Sequence, residues 1–185
     1  MQRALYLLLV ISFFACQEDK QQTSNALDAI PIDAALILES NDVSKSLKEL
    51  SRSAPWELLT TETSIEFNQQ KLLRIDSALT TYASHLTSIN PLFISLHLTG
   101  AQSLNWLATT SSENQEHKFQ LLELGLKNFT NTKEHPYSNG TIMEVNIEND
   151  RLFYCMHMGL VLISPEKILI QDAIRQLKTE NNLSA

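Results

Sequence analysis

The residues best suited to chemistry in this sequence lie near its end, where Cys155-x-His157 sets a thiol and an imidazole two positions apart. Successive side chains alternate on a β-strand, so on a strand both would share one face. Such a pair suits a zinc site or a nucleophile with its base. The plainer alternative is a buried cysteine packed between Tyr154 and Met156, beside a histidine satisfied by hydrogen bonds. His97 and His157 would form a metal-like cluster with Glu144 or Glu148 if their strands were neighbours. Glu113-x-x-x-His117 has helical spacing, which more often decorates a solvated helix face. Trp56, Phe93, Trp106 and Tyr137 are candidates for an aromatic binding face, set against the commoner role of aromatics as core.

Other chemistry is missing from the sequence. It contains no Gly-rich phosphate loop, Gly-x-Ser-x-Gly elbow, His-Glu-x-x-His pair or Cys-x-x-Cys. Its four glycines leave little backbone for cradling a phosphate. A net charge of −7 argues against nucleic acid as a partner, because phosphate backbones select basic surfaces. No cofactor is expected. The leading expectation is a non-enzymatic binding or interaction module with a protein or glycan partner. A metal-dependent or cysteine-based hydrolase using Cys155 and His157 is the rival.

The second cysteine, Cys16, carries a different message. Gln2 and Arg3 give a short charged start, and residues 5–14 are apolar except for Ser12. A membrane-spanning helix needs about 20 apolar residues, so this run fits a secretory signal peptide better. It breaks at Ala15-Cys16, where polar residues begin. Phe13-Phe14-Ala15-Cys16 resembles the lipobox of bacterial lipoproteins, with Phe where that family usually carries Leu and a small residue. The resemblance implies that Cys16 receives a diacylglycerol and becomes the mature N-terminus. Two or more acyl chains hold a protein stably on a membrane where one holds it marginally. Lipidation of Cys16 would leave Cys155 without a disulfide partner, so the fold would rely on its core.

The organisation expected is a signal peptide over 1–15, a lipidated cysteine and flexible tether over 16–29, and a single domain over 30–185. Strands are expected over 34–39, 92–98, 103–110, 141–148, 152–157 and 160–163, from short apolar or alternating runs. Asn41 or Asp42 suits the cap of a helix carrying Val43, Leu47 and Leu50, and Pro55 opens a second short helix. Longer helices are expected over 65–86 and 113–127. A last one is expected after Ser164, with Pro165 in its first position. Residues 133–140 read as a loop, with Pro136 and Asn139-Gly140 as turn markers. Short turns between successive strands favour the α+β class, an antiparallel sheet of about five to six strands with helices packed mainly on one face. Glu39-Ser40-Asn41 and Ile163-Ser164-Pro165 both end a strand and open a helix, a faint sign of an internal repeat.

Ile30-Pro31-x-Asp33-Ala34, Glu39-Ser40-Asn41-Asp42, Trp56 and Ile94-Ser95-Leu96-His97-x-Thr99-Gly100 resemble the N-terminal domain of large uncharacterised envelope lipoproteins of the Bacteroidetes. Leu160-Val161-Leu162-Ile163-Ser164 with its trailing helix is similar to a unit of related domains of unknown function. The resemblance covers about residues 28–178 and carries over no catalytic residue. It implies that this chain is the first part, or a truncated remnant, of a longer protein. Gln17-Glu18-Asp19 resembles the signal that sends lipoproteins of that phylum to the outer face of the outer membrane.

Overall fold

A computed structural model describes residues 24–61, 91–100, 103–111, 132–147 and 150–179. Its strands are β1 (Leu36–Ser40), β2 (Leu92–Leu98), β3 (Leu104–Ser111), β4 (Thr132–Tyr137), β5 (Gly140–Ile147), β6 (Asp150–His157) and β7 (Leu160–Ser164). They form one antiparallel sheet in the order β1-β2-β3-β7-β6-β5-β4. The antiparallel sheet with helices is present. It has seven strands where the sequence reading predicts about five to six.

The helices also depart from the expected single layer, because both faces of the sheet carry a core. On one face Leu36, Leu38, Ile94, Trp106, Val161 and Ile163 pack with Leu47 of α1 (Val43–Leu50) and Trp56 of α2 (Ala54–Thr61). On the other, Leu107, Phe153, Cys155, Leu160 and Leu162 meet α3 (Lys167–Gln176) through Leu169, Ile170, Ala173 and Ile174. A short 3-10 helix (Ala26–Ala29) adds Ala26 and Ala29 to that second core. The central strand β7 is therefore buried at every position. Burial on two faces explains why residues 160–163 are an unbroken apolar run instead of an alternating one.

β4 replaces the loop expected over 133–140. It is the last strand of the sheet and mostly exposed. An edge strand tolerates Pro136, since the outward amide needs no ladder partner, and Lys133 and Glu134 keep the edge polar. Folded structure also begins earlier than Ile30. Asn25 Oδ1 accepts the Leu27 amide at 3.1 Å to cap the 3-10 helix, so residues 24–29 belong to the domain and not to the tether.

Caps settle the helix starts. Asp42 Oδ1 accepts the Lys45 amide at 3.0 Å, which makes Asp42 and not Asn41 the cap of α1. Ser53 Oγ accepts the Trp56 amide at 3.4 Å at the start of α2, with Pro55 in its first turn. Ser164 is the end of β7, and α3 begins only at Lys167, with Glu166 at the cap position. The helices expected over 65–86 and 113–127 lie outside the described residues.

The turn between β6 and β7 has positive φ at both central residues, 51° at Met158 and 73° at Gly159. This is the type I′ pattern that matches the twist of a hairpin. Glycine adopts it freely, whereas methionine is strained there. Met158→Asn is expected to stabilise the fold by about 1 kcal/mol. The check is a higher urea midpoint at an unchanged slope.

Candidate functional site

The predicted pair lies on β6, and both residues take the face that meets α3. Cys155 is buried among Phe153, Leu160, Leu162 and the apolar side of α3. Burial pushes its thiol up to about 11, so at neutral pH it is protonated. A thiolate is the species that attacks or binds a metal, and this environment suppresses it. Alternate residues on a strand stand about 6.8 Å apart along the backbone, beyond direct hydrogen bonding between nucleophile and base. His157 is only half-buried. Its Nδ1 would lie 3.6 Å from a Cβ added at Gly140. Desolvation and then the nearby Lys178 charge lower its pKa. The thiol should stay unmodified by an aromatic disulfide reagent in the native protein at pH 8, and react fully in urea. Rapid native reaction would show that the site is open.

The conditional cluster of His97 and His157 is not assembled. Strands β3 and β7 stand between their strands, β2 and β6. Three inter-strand spacings separate them by about 14 Å. Glu144 instead meets His135, a residue that the loop expectation passed over. The His135 Nε2 to Glu144 Oε2 distance is 2.6 Å, and the His135 ring lies 6.1 Å from that of Phe153. This contact runs diagonally from the edge strand β4 to β5, since His135 pairs with Ile142 and Glu144 with Lys133. Among the described residues no group of three or more His, Cys, Asp or Glu is placed to hold a metal. Glu113, His117 and Glu148 lie outside those residues.

The aromatics divide between the two cores. Trp56 and Trp106 are buried on the side of α1 and α2, while Phe93 and Tyr137 pack on the side of α3. They do not form one face.

A second constellation has the order of a hydrolytic triad. His97 Nε2 lies 2.8 Å from Ser95 Oγ, and His97 Nδ1 lies 3.5 Å from Asp33 Oδ1. Ser95 and His97 alternate onto one face of β2, and that much is readable from the strand period. Asp33 arrives from a segment far away in sequence, and no spacing rule signals it. Ser95 is wholly buried, and its hydroxyl also stands 3.3 Å from the Leu107 carbonyl. A nucleophile must reach its substrate, so this serine is not placed for acyl transfer.

No family model, curated protein or solved structure matches this chain. Among the described residues no helix is long and apolar enough to cross a membrane.

Proposed function

We propose that this chain is an envelope lipoprotein, held on the outer membrane by lipid at Cys16, whose domain is a non-enzymatic module for binding a protein or glycan partner. The observation that carries the non-enzymatic part is the state of Cys155. Its thiol is buried against α3 and pushed up to about 11, which removes the nucleophile from the hydrolase reading. The anchored part is supported by the charged start, the apolar run and the cysteine at the apolar-to-polar border. The folded domain takes hold at Ser24, whose amide donates to the Met158 carbonyl at 3.2 Å. Only eight residue steps separate it from Cys16, at most about 27 Å of chain. The domain would then ride close to the bilayer with its β6–β7 turn nearest.

Growth with a palmitate analogue is the direct test. Labelling is expected in the native chain and lost in Cys16→Ala, and equal labelling of both would remove the anchor. The acidic run Gln17-Glu18-Asp19 supports display on the cell surface. Protease treatment of intact cells should then digest the domain, and full protection would place it on the periplasmic side.

A further inference from the structure

Residues 24–35 cross the α3 side of the sheet as a strap fastened along its length. The Ser24 amide donates to the Met158 carbonyl at 3.2 Å. Thr109 Oγ1 donates to the Ala26 carbonyl at 2.9 Å, and the Ala35 amide donates to the Leu96 carbonyl at 2.8 Å. Between these points Ala26, Ala29 and Ile30 are buried. The remaining fastening is ionisable, where Asp33 of the strap faces His97 of β2 at 3.5 Å.

The hydrogen-bonding inventory around His97 allows two arrangements. In the neutral one, Nδ1–H points to Asp33 and Nε2 accepts from the Ser95 hydroxyl. In the protonated one, both ring nitrogens donate, and Ser95 must turn its hydrogen to the Leu107 carbonyl at 3.3 Å. The second arrangement buries an imidazolium. His97 is 1% exposed, whereas the Asp33 side chain is 79% exposed and largely hydrated. A hydrated carboxylate returns little of the cost of burying its partner's charge. Opening the strap removes Asp33 and hydrates the ring, so the imidazolium is more stable in the open state.

We propose that His97 is a proton-operated clasp, closing the strap of residues 24–35 on the sheet when neutral and releasing it when protonated. Desolvation lowers the pKa of His97, with the Asp33 carboxylate opposing; at 3.5 Å that carboxylate makes no close hydrogen bond to Nδ1, which leaves desolvation dominant. The open state regains the ordinary value near 6.5. Between the lowered value and 6.5 the open state binds more protons, so strap stability falls as the pH falls through that window. Among the described residues Asp33 is the charged group facing His97. β3 presents the neutral Asn105 opposite it, followed by Leu107 and Thr109 on the same face. Glu39 of β1 shares the face but pairs with Phe93, at the other end of β2.

On the lipoprotein reading, release would lengthen the tether from eight steps to nineteen, counted from Cys16 to Ala35. Its reach would rise from about 27 Å to about 65 Å at full stretch. The clasp itself does not depend on lipidation, and its test is separate from the labelling experiment.

Hydrogen exchange of the full chain in detergent micelles, read as protection factors at pH 7.5, 6.5 and 5.5, tests the clasp. Protection over 24–35 should fall by up to tenfold per pH unit below 6.5, while β7 and α3 keep theirs. His97→Gln should flatten that dependence. Asp33→Asn, an exposed change that leaves the core intact, lowers only the closed-state value, so the fall should still begin near 6.5 and extend to lower pH. Strap protection independent of pH would overturn the proposal, as would an equal fall in His97→Gln or a smaller fall in Asp33→Asn than in the native chain. A fall that survives in His97→Gln but is lost in His157→Gln would also overturn it, by placing the proton next to the Met158 carbonyl instead.

Discussion

Leu162→Ala is expected to cost about 2–5 kcal/mol of folding stability, a large share of the roughly 5–15 kcal/mol of an ordinary domain. Leu162 lies in β7, between β3 and β6, opposite Thr109 on one side and Cys155 on the other. Its side chain has no exposed surface and fills the layer between the sheet and α3. Truncation removes the transfer free energy of its methyl groups and leaves a cavity. Rigid strands on both sides prevent the cavity from closing. Ile37→Ala makes the contrast. Ile37 is on the edge strand β1 and 39% exposed, so its truncation is expected to cost about 1 kcal/mol. Urea unfolding followed by tryptophan fluorescence should show the larger midpoint shift for Leu162→Ala at an unchanged slope. Equal shifts would mean that the core does not centre on β7.

The same strand shows what the sequence discloses and what it hides. β2 runs over the alternating stretch Leu92–Leu98 as expected, because alternation reports a strand directly. In β7 the alternation is lost, and the continuous run Leu160-Val161-Leu162-Ile163 is itself the mark of a strand covered on both faces. The expectation of helices mainly on one face did not use that signal, and the two cores on opposite faces of β7 correct it. β4 left no comparable trace, because an edge strand pairs through its backbone and needs no apolar face. Missing β4 also hid the contact between His135 and Glu144, which depends on the β4–β5 register. Cys155 and His157 do share a face as their spacing implies. Whether a thiol on that face is reactive depends on what covers it, and α3 covers Cys155. The Ser95 and His97 pair was half legible in the same way. Its carboxylate, Asp33, comes from a strap whose path across the sheet is fixed by tertiary contacts and has no periodicity.

Ser164→Ala is expected to destabilise the domain by about 1–3 kcal/mol through polar groups left unpaired. Ser164 Oγ donates to the Trp106 carbonyl at 2.7 Å and accepts the Glu166 amide at 3.0 Å. One buried hydroxyl thus joins β3 to the turn that launches α3. Glu166, at the cap position, makes no side-chain cap bond, so nothing on its own side chain replaces the lost acceptor. Ser40 holds the matching place between β1 and α1, accepting the Asp42 amide at 3.1 Å and donating to Ser46 Oγ at 2.9 Å. There the loss should be smaller. Ser46 is only half-buried and can turn to water, and Asp42 caps α1 independently. Hydrogen exchange should show the first turn of α3 loosened in Ser164→Ala, with the start of α1 little changed in Ser40→Ala. Ser164→Thr, which keeps the hydroxyl, should recover part of the loss. If Thr recovers none, the cost comes from packing at the β3–β7 seam and not from the two hydrogen bonds. The two serines resemble each other as strand-to-helix links, yet they face opposite cores, so only the one without a second cap carries its helix.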